Sequence, residues 1–309
     1  MEIKDILGIG KLATELLNKL EKFGGFCFAP RQIKRIGNAQ IEVIKKAKVE
    51  LGGNIDISIN NGNIEIHVGQ DGLYLSNMIS NLIKNEIRKQ ENINQIVEKT
   101  IEILNEKPDV NTSIEFDQNW LNNFLEYARN VSDEEMQRVW ARILAEESIN
   151  SNSYSILTLN TLKNMTKKDA QTFVELIKNV FLWGDQYVLL NFNECKELYN
   201  ISAIDILNLS ELGLINDPCK YIKYNKGKIV YYVKNGYVYK HENLSGNTSF
   251  ECHVLTRVGR ELRKLVFEER DFSEEQLKAI FDCESGFQVS IHKQAGEDMY
   301  CIDPIKTIR

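Results

Sequence analysis

The segment VSDEEMQRVWARILAEE, residues 131–147, constrains the fold of this chain more than any other stretch. Its apolar side chains recur at the spacing of one helix face and form a continuous stripe: Met136, Val139, Trp140, Ile143 and Leu144. Such a stripe predicts an amphipathic helix whose apolar face lies against a protein core. Ser132, with Glu135 three residues later, predicts a capping box at the start of this helix.

The preceding segment DQNWLNNFLEYARN, residues 117–130, offers an apolar surface on which this stripe can pack. We therefore predict a structural core that contains Trp120, Trp140, Ile143 and Leu144. Thr166, with Asp169 at the third position, predicts a further capped helix. Residues 111–182 are thus expected to form a helical bundle.

Residues 1–110 form a region of changing pattern. Residues 1–23 have the period of an amphipathic helix, and Pro30 is expected to open a second, basic helix. Alternating isoleucines on both sides of Asn61-Gly62 then predict a β-hairpin. Because an isolated hairpin is marginal in water, we expect this region to mediate oligomerisation.

A helical period returns between Leu75 and Leu104. It predicts either one long helix or two helices joined near Asn92. The polar segment around Pro108 then predicts a linker.

Residues 183–309 begin with a helix, a turn and a second helix, followed by strands with turns at Lys226-Gly227 and Asn235-Gly236. A capped helix follows Thr256, and a helix and a hairpin are expected after Ser273. Helix, turn, helix, strands and a final helix is the order of a winged-helix domain. The predicted fold class is therefore mainly α (α+β): a helical bundle with an N-terminal β-hairpin and a C-terminal winged-helix-like domain.

Composition excludes several classes of protein. The formal net charge of −6 argues against a protein whose whole surface binds nucleic acid. The six cysteines include no C-x-x-C pair, which favours reduced thiols in the cytoplasm over a secreted disulfide scaffold. The four histidines are not paired at ligand spacing, so no metal site is expected.

Motifs of catalysis and of targeting are not found in the sequence. No apolar run reaches the roughly 18 residues of a membrane-spanning helix, and no signal-peptide pattern is visible. G-x-S-x-G, H-E-x-x-H and P-loop patterns do not occur. We therefore expect no cofactor and no catalytic residue and favour a non-enzymatic protein, although an enzyme without metal or nucleophile stays open.

The richest pattern for binding lies between Lys220 and His241, where lysines and tyrosines alternate without an acidic residue. Lysines neutralise phosphates and tyrosine rings stack on bases. The candidate nucleic-acid or anion contacts are Lys220, Lys223, Lys226 and Lys228. The alternative is an exposed hairpin whose edge is protected by lysine. The expected recognition helix carries Asp205 and Glu211 and no basic residue, which favours a protein contact over DNA.

Two N-terminal features are further candidates for binding. Arg31, Lys34 and Arg35 predict either an anion contact or a solvated basic face. The apolar face of residues 1–23 suits either a membrane surface or burial on another helix or protomer. Its balanced charges favour burial.

The segment at residues 131–147 and the following SYSILTLNTLKNMTKKDAQTF resemble a bacterial family known as domain of unknown function twenty-eight-oh-six. The family pattern VSDEELQxLWAxILAGE is matched at many positions, including Asp133, Trp140 and Leu144, and departs from this chain at Glu146, where the family has glycine. The segment GGFCFAPRQIKRIGNAQ is similar to a pattern that this family shares with abortive-infection alpha proteins. The resemblance implies a bacterial, cytoplasmic protein of phage defence and supplies no catalytic residue.

We therefore expect a non-enzymatic interaction protein that acts as an oligomeric scaffold or sensor, with further copies of itself and a phage or host protein as partners. One alternative is a nucleic-acid-binding winged-helix regulator. The other is a membrane-acting effector that uses residues 1–23.

Overall fold

A computed structural model describes the chain over residues 11–24, 55–60, 63–68, 72–106, 114–216, 219–266, 268–296, 299–300 and 303–309. The chain divides into two compact units, Met1–Leu159 and Asn160–Arg309.

The first unit combines helices with a hairpin. In chain order its elements are α1 (Lys11–Gly24), β1 (Ile55–Asn60), β2 (Asn63–Val68), α2 (Gly72–Glu106), α3 (Gln118–Ala128), α4 (Glu134–Ile149) and the start of α5 (Ile156–Asn164). The predicted hairpin is confirmed, because Asn60 pairs with Asn63 in antiparallel register on either side of Asn61-Gly62. The apolar face of α1 is buried within the unit, at Leu12, Ala13, Leu16 and Leu20.

The helical period after Leu75 forms a single helix, α2, of 35 residues. Asn92, where a junction was one of two predictions, lies buried within this helix. Its Nδ2 donates to the carbonyl oxygen of Arg129 at 3.0 Å and to Ser132 Oγ at 3.2 Å. Asn92 therefore ties α2 to the connection between α3 and α4.

The aromatic residues of α3 and α4 form the core of the first unit. Trp140 has none of its side chain exposed, and its ring meets Phe124 edge to face at 5.3 Å between centroids. Ile143 and Leu144 are likewise buried. Trp120 is buried beside them and its Nε1 donates to the Tyr154 carbonyl oxygen at 2.8 Å.

The helix caps follow the predicted chemistry with one shift. Asp133, and not Ser132, caps α4, since the Asp133 carboxylate accepts from the Met136 backbone N–H at 3.0 Å. Ser132 Oγ instead accepts the hydrogen bond from Asn92. The predicted capping box of Thr166 and Asp169 is confirmed.

The second unit is built on one large antiparallel sheet. Its elements after α5 are α6 (Lys167–Asn179), β3 (Phe181–Trp183), β4 (Gln186–Leu190), α7 (Phe192–Tyr199), α8 (Ala203–Glu211), β5 (Lys220–Tyr224), β6 (Ile229–Lys234), β7 (Tyr237–Asn243), β8 (Thr248–Val254), α9 (Arg257–Arg263), α10 (Glu274–Ile280), a 3₁₀ turn (Cys283–Ser285), β9 (Phe287–Gly296), β10 (Met299–Tyr300) and β11 (Lys306–Ile308). The strands lie in the order β10-β9-β7-β6-β3-β4-β8-β5, and β11 also pairs with β9.

The prediction of a winged-helix domain on a helical bundle is wrong for this half of the chain. A wing contains two or three strands beside a helical core, whereas here nine strands form a single sheet. The sheet includes β3 and β4, which precede the helix pair, and β9 to β11, which follow the last helices. The error arose because local patterns located several strands and not their long-range partners, such as β9 against β7.

A closely packed aromatic cluster fills the interior of this sheet domain. His241 stacks on Phe287 with 4.5 Å between ring centroids and lies 5.1 Å from Phe281. Its Nδ1 lies 2.9 Å from the Tyr224 hydroxyl, which lies 3.1 Å from the Tyr232 hydroxyl. The polar atoms of Tyr224, Tyr232 and His241 are therefore paired within this cluster.

Candidate metal centre

Three side chains of the second unit bring metal-binding atoms together: Cys219, Glu251 and His253. Their sulfur, carboxylate oxygen and ring nitrogen atoms all lie within 4.8 Å of one another. Thiolate, carboxylate and imidazole are the donor types that bind zinc in proteins. The cluster is therefore the best candidate for a functional site in the described part of the chain.

The pairing of β5 with β8 places these residues side by side. Tyr221 lies directly opposite Glu251, and Lys220 lies opposite Cys252. Cys219 precedes Lys220, and His253 follows Cys252, so the two come next to each other at the end of the same ladder. Because side chains alternate across a strand, Glu251 and His253 project from one face of β8.

The first residues of α7 contact two members of the cluster. Asn191 holds a left-handed backbone conformation with φ of 47°, which asparagine tolerates better than most residues. Asn191 directly precedes α7, whose first residues, Phe192 and Asn193, lie beside β8. The Phe192 ring meets His253 edge to face at 5.5 Å, and Asn193 Nδ2 donates to Glu251 Oε2 at 2.6 Å.

The second oxygen of Glu251 has a different environment. Oε1 is buried and has no hydrogen-bond partner among the described residues. It lies 3.9 Å from His253 Nε2. A buried carboxylate oxygen without a partner is costly, and a bound cation would remove that cost.

The hydrogen bond at the other nitrogen orients the His253 ring. Nδ1 lies 3.3 Å from the backbone carbonyl oxygen of Asn216. A carbonyl oxygen only accepts, so Nδ1 carries the proton and the lone pair is left on Nε2. Histidines that bind metal commonly donate their second N–H to a carbonyl or carboxylate in this way.

The geometry fits an ion better than a catalytic triad. In a triad the nucleophile and the acid lie at opposite nitrogens of the imidazole, whereas here Glu251 faces Nε2 and a carbonyl holds Nδ1. Tetrahedral zinc places its donor atoms about 3.5 Å apart. Glu251 Oε1 and His253 Nε2 would approach from 3.9 Å by only a few tenths of an ångström.

Cys219 differs from the other described cysteines. Cys195, Cys252 and Cys283 are buried, and Cys219 is partly exposed. Burial raises the pKa of Cys195, Cys252 and Cys283 to about 11, so these thiols stay protonated and inert. Beside Cys219 lies Tyr221, whose side chain is 60% exposed. The cluster therefore opens to solvent at the Cys219 end.

Three protein ligands leave a fourth position on tetrahedral zinc. Catalytic zinc sites keep water in this position, and the ion lowers the pKa of that water to about 7. The arrangement is thus able to bind a ligand atom directly or to activate water.

Sequence reasoning did not assign this site. The expectation of no metal site was based on distances along the chain, and His253 lies far from Cys219 in that measure. No local motif signals the cluster. Only the pairing of β5 with β8 brings its members together.

Of the predicted lysine contacts, Lys220 directly follows Cys219, and the others lie further along β5 and in the turn after it. Lys220 and Lys223 are exposed on β5, and Lys226 and Lys228 are exposed in the following turn. β5 is the last strand on its side of the sheet. The N-terminal candidates Arg31, Lys34 and Arg35 lie outside the described residues.

The family model described as Protein of unknown function (DUF2806) matches residues 79–277, well over half of the chain. Neither a curated protein nor a solved structure matches this chain significantly. Among the described helices, none combines the length and the apolar character needed to cross a membrane.

Proposed function

We propose that this chain, which belongs to the family described as Protein of unknown function (DUF2806), binds a zinc ion through Cys219, Glu251 and His253. The observation that carries the proposal is the convergence of three donor atoms within 4.8 Å, one of them a buried carboxylate oxygen without a partner. The zinc ion keeps one coordination position for water or a ligand, as catalytic zinc sites do.

Zinc fits these donors better than the common hard cations. Magnesium and calcium take oxygen ligands almost exclusively, whereas thiolate and imidazole select zinc and similar transition metals. The layer around the ligands supports the same choice, since the carbonyl of Asn216 orients His253 and the amide of Asn193 orients Glu251.

The test is a zinc titration of the reduced full-length protein after treatment with a chelator. We expect one zinc ion per chain by elemental analysis. Competition with a chromophoric chelator should show at least tenfold weaker binding for Cys219→Ser, Glu251→Gln and His253→Gln, since each removes one of three ligands. Cobalt in place of zinc should give a sulfur-to-metal absorption band that Cys219→Ser abolishes.

Glu242→Gln is the matched control, because Glu242 is a partly exposed carboxylate of the same sheet whose ion-pair partner is Lys240. It should bind zinc as the wild type does. The proposal would be refuted if Cys219→Ser and His253→Gln bound zinc as tightly as the wild type does. It would also be refuted if the wild type bound no zinc.

A second candidate function is the interaction role expected from the sequence, with phage defence as its setting. It is supported by α8, the helix whose sequence favours a protein contact over DNA. Ile204 and Leu207 are one turn apart on α8 and are 67% and 50% exposed. Paired exposed apolar residues on a helix without basic residues favour a protein partner, and we take that partner to be a second copy of this chain.

Light scattering after gel filtration tests this second proposal. The wild type should have an apparent mass above the 35.7 kDa of one chain, and the double change Ile204→Asp with Leu207→Asp should reduce it to that value. A wild-type mass of one chain at all concentrations would rule the proposal out.

A further inference from the structure

We propose that the metal centre continues into a binding site for single-stranded nucleic acid along β5, with Tyr221 as a stacking platform and Lys223 as a phosphate contact. The inference rests on the proposed zinc site and names its ligand. It is carried by the order in which the metal centre, an exposed aromatic ring and an exposed lysine follow one another along one face of β5.

The register of β5 places these groups in a row. Tyr221 lies opposite Glu251, a zinc ligand, and Lys223 lies opposite Ser249. Alternation along the strand puts Tyr221 and Lys223 on one face, about 7 Å apart. Ile222 and Tyr224 are buried on the other face. One face of β5 therefore packs into the core, and the other exposes Tyr221 and Lys223 to solvent.

Tyr221 forms the boundary between the metal centre and the solvent. Its side chain is 60% exposed, more than those of Tyr231 and Tyr237 in the same sheet. Tyr221 lies directly opposite the zinc ligand Glu251 on the neighbouring strand. An exposed ring beside the metal centre offers a face on which a base can stack.

Four lysines lie on β5 and in the turn after it. Within the described part of the chain, none of Lys220, Lys223, Lys226 and Lys228 forms an ion pair with a carboxylate. Lys228 Nζ donates to the Lys223 backbone carbonyl and lies 5.4 Å from the centre of the Tyr224 ring. This contact places the ammonium group of Lys228 at the Lys223 end of β5, where a phosphate would neutralise it.

A single strand fits this surface better than a duplex. Proteins that bind single strands combine a positive track for the backbone with aromatic rings for the bases. Reading a duplex needs an element that enters a groove, and the nearest candidate by sequence, α8, carries no basic residue. The open zinc position would take a phosphate oxygen at the end of the row.

The test measures fluorescence anisotropy of labelled oligo-dT and oligo-U with full-length protein, loaded with zinc or treated with a chelator. We expect salt-sensitive binding that weakens about tenfold in Tyr221→Ala and in Lys223→Glu. Removal of zinc, or Cys219→Ser, should weaken it severalfold. The matched controls are Tyr237→Ala and Lys293→Glu, an exposed tyrosine and an exposed lysine opposite each other on β7 and β9. They should bind as the wild type does.

The outcomes separate this inference from the zinc proposal. Zinc bound at one ion per chain without oligonucleotide binding would overturn the inference and leave the zinc site intact. Oligonucleotide binding that is unchanged without zinc would overturn the link between the zinc site and nucleic-acid binding. Equal binding of duplex DNA or of poly-glutamate, or equal losses in the control variants, would also overturn it.

Discussion

Lowering the pH from 7 to 5 should destabilise the second unit by about 2 kcal/mol through one residue, His241. This side chain is fully buried among Phe250, Phe281 and Phe287. Its Nε2 donates to the carbonyl oxygen of Phe281 at 2.9 Å, so its Nδ1 accepts from the Tyr224 hydroxyl at 2.9 Å. Both nitrogens are therefore satisfied by the neutral ring, and a second proton would create a buried charge.

The direction of this pH effect follows from the pKa of His241 in the folded protein. Burial lowers the pKa of His241 from 6.5 to about 4, and the hydrogen bond to Phe281 opposes this change only in part. Below pH 6.5 the unfolded chain takes up a proton that the folded chain refuses. Stability is therefore complete above pH 6.5 and is lost between pH 6.5 and about 4. The full loss is about 3 kcal/mol, of which about 2 kcal/mol falls between pH 7 and pH 5.

Urea unfolding at pH 7 and pH 5 measures the loss, and NMR of ¹³C-labelled histidine measures the titration. The His241→Phe variant is the control, since its ring fills the same space and does not titrate. Its stability should change less than that of the wild type over this range. A His241 resonance that titrates near pH 6.5 in the folded protein would refute the reasoning, because it would mean that the ring is charged at little cost.

Two further predictions concern packing. Trp140→Ala should lower the free energy of unfolding by about 3–5 kcal/mol. Trp140→Phe should lower it less, because the buried Nε1 of Trp140 has no partner among the described residues. Urea unfolding followed by circular dichroism measures both changes, and equal losses of stability would contradict the prediction. Gly259→Ala should lower the melting temperature, because an added Cβ would lie 2.1 Å from the Leu214 carbonyl oxygen. The control Gly246→Ala, with no atom within 4 Å of the added carbon, should melt as the wild type does.

The helices were predictable because their signals are local. The stripe around Trp140 specifies which face of α4 is buried, and the box of Thr166 and Asp169 marks where α6 begins. The two strands on either side of Asn61-Gly62 are adjacent in sequence and pair with each other. In each case the residues that interact lie a few positions apart, so the spacing alone carries the information.

The sheet was not predictable in this way. β4 pairs with β8 across two helices and three strands, and β7 pairs with β9 across β8, α9 and α10. Alternation along a strand shows which residues share a face and does not name the neighbouring strand. A few strands after two helices therefore looked like a wing, although the same strands belong to a sheet of nine.

The candidate site depends on that long-range pairing more than on its own residues. A shift of β5 by one position against β8 would move Cys219 and Tyr221 to the opposite face and separate them from Glu251 and His253. The buried side chains of Ile222 and Tyr224 prevent such a shift, because it would expose both to water. The aromatic core therefore sets the register, and the register assembles both the zinc ligands and the row that ends at Lys223. Because the site depends on this pairing, no local sequence pattern marks Glu251 and His253 on β8 or Cys219 before β5.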